Sequence, residues 1–154
     1  MEIKIEEDSQ KLILELNKFV NDIKILEEPL RNSARYMQQQ AIANFANSGA
    51  LMQEGGWPPL SKTTEKFKKR YYPGKPIMVR TGRLKASFEI GEPIITANYG
   101  EIEVSNPVEY APYHQFSERV KLPRRILLKF AKQQIEDITR IVERWLDKVI
   151  NKNA

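Results

Sequence analysis

Hydrophobic positions at the start of the chain predict a strand followed by a helix. Ile3 and Ile5 alternate with charged residues, which is the two-residue period of a short strand. Apolar residues then recur at spacings of four, three and four, the pattern of one helix face, up to about residue 24. We expect Asp8 or Ser9 to cap this helix, because acidic and hydroxyl side chains are favourable at a helix N-terminus.

A second amphipathic helix is predicted to begin near residues 28–29, since proline is favourable in a first helical turn. The run Asn47-Ser48-Gly49 supplies its end. The apolar stripe of this helix consists of Leu30, Ala34, Met37, Ala41 and Phe45.

Residues 48–60 are predicted to form a loop, because paired glycines and paired prolines interrupt regular structure there. Ser61 or Thr63 then caps a short, very basic helix that ends near Arg70. Residues 72–76 form a further turn.

The hydrophobic period changes in the middle of the chain. Ile102 and Val104 alternate with polar residues after a turn at 98–100, and Ile94 and Ile95 precede that turn. The pattern predicts a β-hairpin or a three-strand meander. Residues 106–125 contain three prolines and are predicted to be irregular.

The last helix has the clearest pattern, with apolar spacings that alternate between four and three. A coiled-coil seam between subunits and a helix packed on the chain's own sheet both fit this pattern. We favour the second, because the pattern covers fewer than three heptads. The stripe consists of Ala131, Ile135, Ile138, Val142, Trp145 and Val149, widened by Ile141, Leu146 and Ile150.

These elements predict a single α+β domain over residues 1–154, with N-terminal helices and a long C-terminal helix around a small antiparallel β-sheet. No apolar run approaches the ~20 residues needed to cross a bilayer. The acidic start at residues 2–8 is the reverse of a signal peptide. We therefore expect a soluble protein made in a cytoplasm, with no membrane partner.

Charge is unevenly distributed around the formal net charge of +5. Residues 1–30 hold eight acids and four bases, a net charge of −4, whereas residues 61–85 hold nine bases and only Glu65, a net charge of +8. Residues 119–132 add six bases and no acid. This polarity fits nucleic-acid binding, or contact between the acidic end of one subunit and the basic middle of the next. We favour the subunit contact, because few aromatic residues are interleaved with the bases.

Residues suited to catalysis are scarce. The chain has no cysteine, which excludes disulfides and thiolate metal sites, and His114 is its only histidine. Glu101 and Glu103 have a spacing that paired carboxylate catalysts use, but solvent-facing alternation on a strand explains them more simply. Thr81-Gly82-Arg83 lacks the spacing of a phosphate-binding loop. We predict no enzyme, no cofactor, no metal and no catalytic residue.

Four short motifs follow one another between residues 55 and 128. They are Gly55-x-Trp57-x-Pro59-Leu60-Ser61, Thr81-Gly82-Arg83-Leu84-x-x-Ser87, Tyr110-Ala111-x-x-His114-Gln115-Phe116 and Pro123-x-Arg125-x-x-Leu128. In this order they resemble the phage virion morphogenesis family, which includes Mu G-type proteins and P2-type tail completion proteins. Three positions depart from the family pattern, since Ser117 stands where glycine is usual and Ile126-Leu127 replace Pro-Phe.

Several motif residues have physical roles that can be predicted without the family. Gly82 permits a turn that a side chain would block, and Thr81 caps a short helix that carries Leu84. Trp57, a large apolar group on a loop, either folds back on the core or anchors a neighbouring subunit.

The remaining motif residues are polar. His114 and Gln115 are expected to fasten the 106–125 loop by hydrogen bonds. Arg125 follows a proline, Pro123, that fixes the backbone there. Its guanidinium therefore suits bidentate contact with a carboxylate. We favour an acid of the same chain over one across an interface.

The resemblance implies an assembly protein that completes or terminates a phage tail, or supports head–tail joining, through protein–protein contacts. Its implied partners are copies of itself in a ring and other tail or connector proteins, with non-specific contact to phage DNA as a further possibility. Its implied location is the host cytoplasm during assembly and then the tail or neck of the virion. The alternative is a basic nucleic-acid-binding protein.

Overall fold

The computed structural model describes residues 26–96, 99–117 and 122–153. The strand and the first helix predicted before residue 25 lie outside these residues. The architecture is α+β, as predicted. In chain order the elements are α1 (Glu27–Ala46), α2 (Lys62–Tyr71), α3 (Arg83–Ala86), β1 (Glu89–Ile90), β2 (Ile94–Thr96), β3 (Tyr99–Glu101), β4 (Val104–Ser105), α4 (Ala111–Phe116) and α5 (Lys132–Asn153).

α1 confirms the second predicted helix. Glu27 and Glu28 lie in its first turn, where acidic groups stabilise the helix dipole. The chain turns away after Ala46, because Ser48 (φ +49°) and Gly49 (φ +89°) adopt left-handed conformations that end a helix. The predicted stripe faces the core through Ala34, Met37, Ala41 and Phe45, all buried.

α5 lies antiparallel along α1. The Tyr36 hydroxyl donates to the Asp137 carboxylate at 2.5 Å. Further along, Lys148 Nζ lies 3.9 Å from the Glu28 carboxylate, so residue numbers run in opposite directions on the two helices. The expectation that this helix packs on the sheet is therefore wrong, because the long apolar face of α1 offers it a larger partner.

The predicted stripe of α5 is only partly buried. Ile138 packs against the core, but Ile135 is 52% exposed and Ile150 is 63% exposed. Gln134 takes the buried position beside Ile135, and its side-chain amide donates to the Leu51 carbonyl at 3.2 Å. A coiled-coil seam between subunits stays a prediction.

The strands form two antiparallel pairs instead of one sheet. β2 and β3 make a hairpin, as predicted, with Ile95 opposite Gly100. The predicted turn at 98–100 is wrong in its bounds, because Tyr99 and Gly100 already belong to β3. β1 and β4 enclose the hairpin as a second pair, and the Gly91 N–H extends that pairing to the Glu103 carbonyl at 2.9 Å. A three-strand meander is therefore wrong. Pro93, between β1 and β2, has no N–H with which to continue a ladder.

The prediction that residues 106–125 are wholly irregular is also wrong, because α4 lies within them. Pro112 stands in its first turn, where proline is tolerated. Ser117 ends the helix at a φ of +56°. The family pattern usually has glycine at this position, and a left-handed backbone explains that preference.

The core joins α1 to segments that are distant in sequence. Phe45 packs edge-on against Trp57 and Phe88, with ring centroids 5.1 and 6.3 Å apart. Ile126 and Leu127 complete this layer from the loop before α5. The other buried members are Met37, Ala41, Met52, Val79, Leu84, Val108 and Ala111.

Candidate interaction cleft

A cleft of about 960 Å³ lies beside the core. It is open to solvent, because Phe67 (48% exposed), Tyr110 (40%) and Leu122 (42%) line it. Its walls come from α2 and the segment before it, from residues 78–84, and from α4 and the segment 122–125. The lining residues are Pro59, Leu60, Ser61, Thr64, Phe67, Lys68, Tyr72, Met78, Val79, Arg80, Thr81, Gly82, Arg83, Leu84, Tyr110, His114, Leu122, Pro123 and Arg125.

Nine of the eleven residues singled out from the sequence line this cleft. Three of the four motifs meet there with the end of the first, although they are far apart along the chain. Trp57 and Gln115 are the two exceptions, and both hold the surrounding segments in place. The nine are Leu60, Thr81, Gly82, Arg83, Leu84, Tyr110, His114, Pro123 and Arg125.

Trp57 folds back on the core. Its side chain is 5% exposed, and its indole N–H donates to the Ile126 carbonyl at 2.8 Å. Gly49 makes room for it, since a Cβ at that position would lie 2.2 Å from the Trp57 ring. Of the two roles open to Trp57, core packing is confirmed, and an anchor for a neighbouring subunit is wrong.

Gln115 fastens α4 to the segment before α5, as predicted. Its side-chain oxygen accepts from the Leu127 N–H at 2.7 Å and from the Leu128 N–H at 3.2 Å. Its side-chain amide donates to the Leu128 carbonyl at 2.7 Å. One glutamine thus satisfies three backbone groups that no regular element pairs.

Arg125 holds two prolines in place of the predicted carboxylate. Its guanidinium donates to the Pro58 carbonyl at 3.0 and 3.2 Å and to the Pro59 carbonyl at 3.1 Å. The expectation of an acidic partner in the same chain is wrong for the described residues, because no carboxylate there lies within 4.0 Å of it. Prolines have no backbone N–H, so this segment forms no regular backbone pairing. The two neighbouring carbonyls of Pro58 and Pro59 are left to accept from the planar fork of arginine. Burial lowers the pKa of Arg125.

His114 helps to hold the 106–125 loop through its backbone. The hydrogen bond predicted for its side chain is not formed by the imidazole Nδ1. Its carbonyl accepts from the Arg125 N–H at 2.9 Å. The imidazole Nδ1 is buried and has no hydrogen-bond partner among the described residues. Burial, and then the charge of Arg125, lower the pKa of His114, so the neutral imidazole is favoured at this place.

Gly82 makes the turn that the sequence predicted. It is the residue before α3 and has a φ of +91°, which favours glycine. Thr81 Oγ1 accepts from the Arg83 N–H at 3.4 Å, so Thr81 assists the start of the helix while Gly82 occupies the capping position. α3 then buries Leu84, whose carbonyl accepts from Asn106 at 2.8 Å.

The cleft is basic and partly apolar. None of its lining residues is acidic, whereas Lys68, Arg80, Arg83 and Arg125 are cationic. Within the parts of the chain that are described, Arg80 and Arg83 form no ion pair. Arg80 lies over the Tyr72 ring, 5.6 Å from its centroid. The cleft therefore presents unneutralised positive charge beside exposed apolar surface.

Sequence reasoning missed the contribution of α2 to this site. The helix itself is confirmed, with Ser61 accepting from the Thr64 N–H at 3.2 Å, yet none of its residues is buried. Phe67 and Tyr71 stay exposed on one side, with ring centroids 4.7 Å apart. The spacing of Leu60, Thr64, Phe67 and Tyr71 is that of one helix face, and this signal was hidden by the charges around it.

Other kinds of site have little support in the described residues. No group of three or more acidic, histidine or cysteine residues is placed to hold a metal ion there. In the same residues, no helix combines the length and the apolar character that crossing a membrane requires.

This fold and this cleft define a protein with an open surface suited to contact with other macromolecules. The chain belongs to the phage virion morphogenesis family, whose model matches residues 7–147. The family supports a structural or assembly role in the phage virion. No curated protein and no solved structure is significantly similar to the chain.

Proposed function

We propose that the protein completes or terminates the phage tail and supports head–tail joining through protein–protein contacts. The observation that carries this proposal is the open cleft, where nine residues selected from the family-like motifs meet. Its cations have no acidic neighbours among the lining residues, and its aromatic side chains Phe67 and Tyr110 are exposed. Such a surface is stabilised when a partner covers it and supplies negative charge.

The assembly unit in this proposal is a ring or another oligomer of identical chains. A ring requires a heterologous interface, in which two different surfaces of the chain meet. We expect self-association that depends on protein concentration and weakens with salt, measured by analytical ultracentrifugation. Monomers alone at high concentration and low salt would contradict self-assembly, and a role in binding tail or head proteins would then remain.

The proposal also covers location and chemistry. The protein acts as one domain in the host cytoplasm during assembly and then stays in the tail or neck of the virion. It catalyses no reaction and uses no cofactor. The buried Nδ1 of His114 supports this part, because no ionisable side chain among the described residues is hydrogen-bonded to it and could activate it.

Deletion of the gene from its phage or prophage tests the proposal directly. We expect electron microscopy of the lysates to show unjoined heads and tails, or tails of abnormal length. The wild-type gene should restore joined particles, and Arg83→Glu should not. Lys152→Glu is the matched control, because it reverses an exposed charge on α5, away from the cleft, and should restore them. Normal joined particles after deletion would contradict the proposal.

Nucleic-acid binding is the second candidate function. The observation in its favour is the pairing of cations with aromatic rings on α2 and nearby, where Arg70 lies 5.5 Å from the centroid of Tyr71 and Arg80 is stacked on Tyr72. DNA retention should then fall steeply as salt rises. Absence of retention at about 50 mM salt would dismiss this candidate. A weaker form is compatible with assembly, if a ring carries positive charge along the path of the genome.

A further inference from the structure

The hairpin β2–β3 has an outer face that no described residue covers. Ile94 is 56% exposed and Tyr99 is 53% exposed, and Glu101 beside them is also exposed. The opposite face lies against α1, where a Cβ on Gly100 would be 3.1 Å from Leu30 Cδ1. The outer face therefore combines apolar side chains with a carboxylate.

The surroundings of the hairpin are acidic. Arg31 binds two glutamates there, with Nε 2.7 Å from Glu27 and Nη2 2.7 Å from Glu92. Glu101 and Glu103 are exposed and have no ion pair within the described ranges. This end of the molecule keeps negative charge that its own described cations leave unpaired.

The hairpin and the cleft lie toward opposite ends of α1. The hairpin contacts the helix near Leu30, and the cleft adjoins the Phe45 end, where Trp57 leads into Pro59 and Leu60. The 20 residues of α1 span about 30 Å at 1.5 Å per residue. The two surfaces are therefore separate parts of the chain, and a heterologous interface requires two such different surfaces.

We propose that the outer face of the β2–β3 hairpin of one copy docks in the cleft of the next copy. Glu101 then meets Arg80 and Arg83. Ile94 and Tyr99 cover apolar groups of the cleft such as Leu60 and Phe67. This inference deepens the proposed function and rests on it only for the biological setting of the contact.

A protein partner explains the cleft better than a nucleic acid does. Phosphate contacts need cations along a track, and they leave exposed apolar groups of the lining such as Phe67 and Leu122 without a role. A hairpin with both carboxylate and apolar groups uses both components of the lining. The match of charge also favours docking in one orientation.

Single cysteines test the contact, because the natural chain has none. Tyr99→Cys and Phe67→Cys proteins are prepared separately, mixed and mildly oxidised. We expect a disulfide-linked dimer in the mixture and none in either protein alone. Lys152→Cys mixed with Phe67→Cys is the control and should give none. A mixture without the linked dimer, or Tyr99→Cys linked to itself, would overturn the proposal.

Charge reversal gives a second, equilibrium test. Arg83→Glu and Glu101→Arg should each raise the dissociation constant of self-association by about tenfold or more, because like charges then face each other. The double variant should recover most of the wild-type affinity. Glu143→Arg on α5 is the control and should leave the dissociation constant unchanged. Circular dichroism checks folding, and Glu101→Arg carries the test if Arg83→Glu is unfolded, since Glu101 is exposed on the hairpin.

The outcomes separate this inference from its rivals. Arg83→Glu that abolishes DNA retention and leaves self-association unchanged would assign the cleft to nucleic acid and overturn the docking. Normal virions after gene deletion, with the cysteine pair still linking purified chains, would refute the proposed function alone. Abnormal virions without cysteine linkage would refute the docking alone.

Discussion

Two adjoining regions built from the same motifs differ in how completely their groups are paired. Around Trp57, buried polar groups find partners: the indole N–H donates to Ile126, Gln115 satisfies three backbone groups, and Arg125 holds two proline carbonyls. In the cleft, Arg83 and Phe67 are exposed and face solvent. The first region has the character of a core and the second that of an interface.

This difference separates two reasons for a motif. Residues such as Gln115 are needed because irregular loops leave backbone groups that a side chain must satisfy. Arg83 and Leu60 have no such task for the fold, and in our proposal they lie where a partner docks. A motif in an assembly protein can therefore contain a structural part and a contact part, and substitutions should distinguish the two.

Trp57→Ala should break the structural region most severely. A nearly buried tryptophan in contact with Phe45 is removed, along with a hydrogen bond, so we expect a loss of about 3–5 kcal/mol in the free energy of unfolding. Chemical denaturation measures it. Phe67→Ala, in the cleft, is the comparison and should cost less than about 1 kcal/mol, because its ring is half exposed. Equal losses would remove the distinction between the regions.

Gly49→Ala should have the next largest effect. The new Cβ would lie 2.2 Å from the Trp57 ring, and the residue has a left-handed φ of +89°. Backbone strain and overpacking together predict a loss of roughly 2–4 kcal/mol.

Gly55→Ala is a matched control for Gly49→Ala. Gly55 has a φ of +72°, but nothing lies within 4 Å of the position that its Cβ would take. It should therefore show only the backbone part, roughly 1–2 kcal/mol. Thermal or chemical denaturation of both variants isolates the contact with Trp57. If the two variants lose the same free energy of unfolding, the loop that carries Trp57 is packed more loosely than described.

Arg125→Lys should have an intermediate effect. Lysine keeps the charge but cannot reproduce the fork that binds Pro58 and Pro59, so a loss of about 1.5–3 kcal/mol in stability is expected. Arg124→Lys is the control, since Arg124 is exposed and, within the described part of the chain, its side chain makes a single hydrogen bond, to the Gln115 carbonyl at 3.0 Å. If Arg125→Lys weakens self-association without loss of stability, then Arg125 belongs to the contact region instead.

Regular elements within the described residues were the part of the fold that could be predicted. The stripe of α1, the cap at Ser61 and the turn at Gly82 each depend on neighbours close in sequence. The partner of α5 could not be predicted, because an apolar stripe specifies burial and leaves the partner open. Gln134 shows the limit of prediction from the hydrophobic pattern. This polar residue is buried because its side-chain amide donates to the Leu51 carbonyl, 83 positions away.

The candidate site was predictable as a set of residues, and its form was not. Nine of the residues singled out from the motifs belong to the lining, but only the fold brings residues 60, 82, 114 and 125 together. The partner of Arg125 was predicted wrongly, because charge pairing was expected and the bare carbonyls of two prolines fulfilled the same need. α2 was missed as a wall, because its many charges concealed the apolar face around Phe67.

The pH dependence of stability is the mildest test, and it concerns the border between the two regions. Burial and the charge of Arg125 lower the pKa of His114 below its usual 6.5. The folded state thus favours neutral imidazole, while the unfolded chain binds a proton first as pH falls. The contribution of His114 is fully present above pH 6.5 and is lost as pH falls through the depressed pKa of the folded state.

Urea denaturation between pH 5 and pH 7.5 checks this expectation. Stability of the wild type should decline across this window, and His114→Gln, which cannot titrate, should decline less. Asp137 has a lowered pKa, below its usual 3.8, so it stays ionised across the window and does not confuse the comparison. Equal slopes would mean that the imidazole is solvated in the cleft and contributes nothing to the pH dependence. A shallower slope for the variant would show that the His114 imidazole is buried beside Arg125, next to a surface that is otherwise free to bind.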